Sequence, residues 1–120
     1  MNAWGIAAEA EARIRKRDRR CVYCRTKMRV RAKARGVPPD KATWEHIDNN
    51  DLRPTNLMNI AICCGRCNSS KGAKKILKWF ESDYCIKNNI SAGTVAPVVK
   101  RWLSYATRLL CSLLCLRSIA

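Results

Sequence analysis

Residues 59–72 read NIAICCGRCNSSKG, and the CGRC within it (64–67) repeats the spacing of CVYC (21–24). A C-x₂-C pair makes a tight turn that aims two thiolates at one point. Two such turns supply the four sulfurs of a tetrahedral Zn²⁺ site, and closed sites of that kind are structural. Cys63 also precedes Cys67, but at a different spacing, so Cys21, Cys24, Cys64 and Cys67 are the expected ligands. The 39 residues between the pairs exceed a minimal zinc ribbon, so an insert must lie between the knuckles.

The rest of the composition supports that reading. The chain has 120 residues and eight cysteines. MNAWGIAAEAEARIRKR has no basic region leading into an apolar stretch, so no secretion signal is visible. A reducing, cytoplasmic location follows as the expectation, and there paired cysteines mean metal more often than disulfide. Cys85, Cys111 and Cys115 read as buried small hydrophobes. The tail 103–116 is apolar but too short to span a bilayer, and Arg108 interrupts it.

Lysine and arginine number 24 against 9 acids, for a net charge of +15. A polyanion is the expected partner, with nucleic acid ahead of an anionic membrane surface. Between Arg13 and Arg35 lie 12 of the 24 bases, with Asp18 the one acid. Dense positive charge suffices to neutralise phosphates, so Arg15, Lys16, Arg19 and Arg20 are candidate DNA-backbone contacts, joined by Arg66 and Lys71. The plainer alternative is a solvated basic helix.

We expect one domain over 1–120: a basic N-terminal helix over about 5–20, a zinc-held core over about 21–85 and a C-terminal helix over about 94–116. ATWEHI (42–47) and NIAIC (59–63) read as short strands of a hairpin around the turn-rich loop 48–56. Ser69 or Ser70 is the expected cap of a helix continuing to about residue 85. Thr94 is the expected cap of the last helix, with Val95, Val98, Val99, Trp102, Leu103, Ala106 and Leu109 as its apolar stripe. The fold class is α+β. Trp44, Trp79 and Phe80 read as core.

The insert holds His46, the one histidine, beside Glu45. Glu45 offers a carboxylate and Asn68 a side-chain carbonyl, both suited to Mg²⁺ or Mn²⁺. A neutral histidine can take a proton from an attacking water. Singly, these residues read more plainly as a surface acid, a structural histidine and turn asparagines. Adjacent strand residues point to opposite faces, so the constellation requires a twist or bulge at Glu45–His46.

The order C-x₂-C, then E-H-I, then N-I-A-I-C-C-x₂-C-N-x₂-K-G resembles the HNH nuclease family in its form with a Cys₄ zinc site. It looks close to small phage and bacterial members over about residues 13–100. The resemblance implies a ββα-metal fold and metal-dependent DNA cleavage. It makes His46 the general base, Glu45 the first cation ligand and Asn68 the last, a position where many relatives carry histidine. It makes Asn59 the middle asparagine that steadies the hairpin loop and so orients the base. A phage terminase partner is a role only the resemblance suggests. A non-catalytic zinc-ribbon module binding DNA or RNA is the alternative.

Overall fold

The computed structural model describes residues 1–30 and 39–119. The loop expected at Gly36–Pro39 therefore falls mostly outside the described residues, as do Arg31, Lys33 and Arg35. The fold is a small mixed α/β arrangement with a two-stranded antiparallel sheet at its centre.

Helix α1 spans Ala8–Arg17. It starts later than expected because the chain before it is a hook. The Asn2 side-chain carbonyl accepts from the backbone N–H groups of Trp4 (2.9 Å) and Ile6 (3.0 Å), and Gly5 adopts φ +75°. Such a φ favours glycine. Ala10 and Ile14 face the core, while Glu9 and Glu11 in the first turn and Arg15 to Arg17 in the last complement the helix dipole.

Strand β1 (Ala42–His46) pairs with β2 (Ile60–Cys64) in unbroken register, from Ala42 opposite Cys64 to His46 opposite Ile60. Asn59 falls in a short 3₁₀ turn (Leu57–Asn59) rather than in the strand. All of β2 is buried.

Side chains cover both edges of this ribbon. On the β2 side, the Ile62 N–H donates to the Asp18 carboxylate (3.0 Å), and Arg17 donates to the Ile60 carbonyl (2.9 Å) while also gripping Asp18. On the β1 side, Asn68 donates to the Trp44 carbonyl (3.2 Å) and Lys71 to the His46 carbonyl (3.2 Å). Buried backbone groups are costly to leave unpaired, and here charged and amide side chains complete the ladder.

The single helix expected from Ser69 to about residue 85 is instead three. Helix α2 (Gly65–Lys71) begins four residues earlier than Ser69, capped by Cys64, whose sulfur accepts from the Cys67 N–H (3.4 Å). Gly72 at φ 52° stops it. Helices α3 (Ile76–Phe80) and α4 (Asp83–Lys87) follow, the latter capped by Ser82. Trp79 is fully buried and meets Tyr23 edge-on at 4.9 Å, which ties α3 to the first knuckle. Phe80 packs partly buried beside it.

Helix α5 runs Pro97–Ile119, starting about three residues later and ending about three residues beyond the expected bounds. Proline suits a first helical position because its missing N–H has no helical partner there. Thr94 is not its cap: its hydroxyl braces the preceding turn through Ser91 and Asn89. Val98 and Val99 are buried, Trp102, Leu103 and Ala106 partly so, and Leu109 is exposed, so the expected stripe loses its cover along the helix. Cys85 is buried, but Cys111 and Cys115 are exposed, which corrects the reading of all three as core hydrophobes. Among the described residues no helix is long and apolar enough to cross a membrane.

Candidate metal centre and candidate catalytic face

The sulfur atoms of Cys21, Cys24, Cys64 and Cys67 all lie within 4.8 Å of one another. Four thiolates at about 2.3 Å from one ion stand roughly 3.8 Å apart. The Cys24 and Cys64 sulfurs are 3.8 Å apart. The cluster can therefore bind a structural metal such as zinc, and Cys64 completes it rather than Cys63, which turns toward Thr43 on the other side of β2. Burial pushes the Cys63 thiol up, as befits a core group.

The backbone builds the cluster from both sides. In the first knuckle, Cys21 N–H bonds to the Thr26 carbonyl (2.9 Å) and Arg25 N–H to the Cys21 carbonyl (3.0 Å). Arg25 takes φ 67°, a left-handed turn that costs a non-glycine residue about 1 kcal/mol. In the second knuckle, Gly65 and Arg66 N–H groups bond to the Lys41 and Pro39 carbonyls (2.9 Å each). Hydrogen bonding among the four sulfurs lowers the Cys24 and Cys64 thiols and raises those of Cys21 and Cys67. Thiolates are the metal-binding form, and a cation shared by four such close sulfurs would stabilise that form.

The opposite end of the hairpin carries the other candidates. Glu45 and His46 sit in regular ladder positions with no bulge between them, so they face opposite sides. Glu45 is 4 % exposed and turns toward α2, where the fully buried Lys71 ammonium stands 3.6 Å away. Burial pushes its carboxyl up, and Lys71 works against that shift. Among the described residues its Oε2 has no hydrogen-bond partner, and neither has the buried Tyr23 hydroxyl.

Asn68 lies on the same side, and its amide nitrogen donates to the Thr43 hydroxyl (2.9 Å) and the Trp44 carbonyl. The expected cation ligands thus share one face, but the carboxylate is already matched to Lys71. His46 lies on the other face, half-buried, so base and ligands do not meet in one space. Lys71 is also out of reach as a phosphate contact, because it is inside the protein.

His46 stacks on Trp4, with ring centroids 4.3 Å apart and planes 16° from parallel. Trp44 lies against Trp4 at 6.3 Å, and the Arg15 guanidinium covers Trp44 at 5.0 Å. Burial lowers the His46 pKa; the Asp51 carboxylate opposes this and Lys71 adds to it. The net shift favours the neutral imidazole, the form a proton acceptor needs.

Asn59 is buried and clamps the loop that begins two residues after His46. Its carbonyl accepts from Asp48 N–H (2.7 Å), and its nitrogen donates to the carbonyls of Asp48 (2.9 Å) and Asp51 (2.7 Å). Asn56 lies outside this clamp and bonds the Asp51 carboxylate instead. Arg15, Lys16, Arg19, Arg20 and Arg66 are all exposed.

Sequence reading passed over Trp4. The available signal was an aromatic just ahead of a glycine at the mouth of a helix, but its partner lies 42 positions away. Comparison of the chain with family models, curated proteins and solved structures finds no match in any of the three.

Proposed function

We propose that the chain is a metal-dependent DNA endonuclease of the HNH class, built on a ββα-metal core and held by zinc at Cys21, Cys24, Cys64 and Cys67. The observation that carries this reading is the Asn59 clamp. A buried asparagine with three hydrogen bonds rigidifies the strand end from which a neutral, half-exposed imidazole projects. A fixed neutral histidine is suited to take a proton from water attacking a phosphodiester, worth about 10²–10⁴ in rate. Arg15, Lys16, Arg19, Arg20 and Arg66 supply exposed charge for the DNA backbone. Mg²⁺ or Mn²⁺ belongs to the same reading, because Glu45 and Asn68 carry the oxygen donors such ions prefer. For Glu45 to serve an ion, Lys71 must release its carboxylate.

That pairing, together with the opposite-facing His46, favours a second reading: a zinc-held module that binds DNA without cutting it. Plasmid nicking with Mg²⁺ or Mn²⁺ separates the two. We expect wild type to nick, chelator to stop it, and His46→Ala to lose at least 100-fold, as removal of a general base does. Undiminished cleavage by His46→Ala sinks the catalytic assignment. Binding without cleavage under every metal selects the module, and a terminase or other partner then becomes the place to look for chemistry.

A further inference from the structure

We propose that Trp4 is a positioning residue for His46: the N-terminal hook holds an indole flat against the imidazole and so fixes the ring for proton transfer. The inference rests on the hydrolytic reading above. A general base is usually oriented by a hydrogen bond to its second nitrogen. Among the described residues no hydrogen bond reaches either ring nitrogen of His46, and its one ring contact is the stack on Trp4. Stacking suits the task, because it covers a ring face and leaves both nitrogens, which lie in the ring plane, open at the edge.

The hook is built to hold that indole. Asn2 receives the Trp4 and Ile6 N–H groups, and the Gly5 N–H returns to the Asn2 carbonyl at 2.9 Å. Ile6 is buried, and Gly5 turns at φ +75° beside Pro54, where an added Cβ would stand 3.4 Å from the proline ring. Trp44, itself under Arg15, lies against Trp4 as a backstop. The stack therefore joins an N-terminal segment to the end of β1, two parts of the chain that neither knuckle connects.

The test uses Trp4→Phe and Trp4→Leu in the full zinc-loaded chain. The single histidine makes its ring-proton NMR signals unambiguous. We expect those signals to lie upfield in the wild type, to stay so in Trp4→Phe, and to move toward free imidazole in Trp4→Leu. In nicking assays Trp4→Phe should retain kcat, while Trp4→Leu loses about tenfold or more in kcat with KM unchanged, as misplacement of a reacting group does. Zinc content and melting temperature check that each variant is folded.

Full or raised kcat in folded Trp4→Leu overturns the assignment, as does a wild-type histidine signal with no ring-current shift. Failure of both variants to fold makes Trp4 a structural residue and overturns it too. Failure of the hydrolytic reading looks different: wild type then nicks under no metal, or His46→Ala cleaves as well as wild type, whatever the NMR shows.

Discussion

At the Ala42–Cys64 end of the hairpin, four sulfurs from two distant turns converge on one point. At the His46–Ile60 end, only a few residues along the same ladder, neighbours in sequence diverge to opposite faces. The first end is built by convergence of like groups that could share one cation. The second is built by separation: a buried acid balanced by a buried lysine on one side, a stacked imidazole on the other. The regular ladder between them holds the cysteine cluster and the imidazole apart, so the two ends share no side chain.

Breaking the convergent end has the largest expected effect. Structural zinc in small domains contributes about 10–16 kcal/mol at neutral pH, more than a typical domain's whole stability. Cys64→Ser or Cys21→Ser should therefore leave the chain largely unfolded, and a strong chelator should unfold wild type cooperatively. Circular dichroism against metal content checks both. Retention of secondary structure with no bound metal means that packing alone holds the fold.

Next comes the divergent end. Lys71→Met leaves the Glu45 carboxylate buried without a partner and should cost about 3–5 kcal/mol in urea denaturation. Adding Glu45→Gln to it should recover much of that loss. A double variant no better than the single one shows that Glu45 was not relying on the ammonium.

Asn59→Ala removes three hydrogen bonds from a buried position and should cost about 2–3 kcal/mol. Amide exchange should speed up selectively at Asp48 to Asp51, which separates loop loosening from general weakening.

The smallest effect is expected at Arg15→Ala. Its ion pair with Glu11 lies at the surface, so stability should fall by less than about 1 kcal/mol. DNA affinity and its salt dependence should both fall, by about one phosphate's worth in the salt slope. An unchanged slope moves the DNA path away from α1.

The knuckles were legible because a two-residue spacing between cysteines has few uses, and doubling it leaves fewer. The hairpin was legible from β-branched and aromatic residues flanking a loop of asparagine, aspartate and proline. The helix after Cys67 was misread because Ser69 and Ser70 looked like caps, whereas the cap is Cys64, already spoken for as a metal ligand. Lys71 was misread because a lone lysine after a serine pair gives no sign of being inside. Its burial depends on Glu45, 26 positions earlier. The Trp4–His46 stack was hidden for the same reason: a contact across 42 positions has no periodicity to read.

The ribbon sealed on both flanks has one more consequence. A two-stranded sheet ordinarily offers two raw margins to any passing extended peptide, including another copy of itself. Here Asp18 and Arg17 occupy one margin, and Asn68 and Lys71 take carbonyls on the other. Those four side chains compete with an incoming strand for edge groups on both margins. Any partner must then be met by side chains on the outer surface rather than by an added strand.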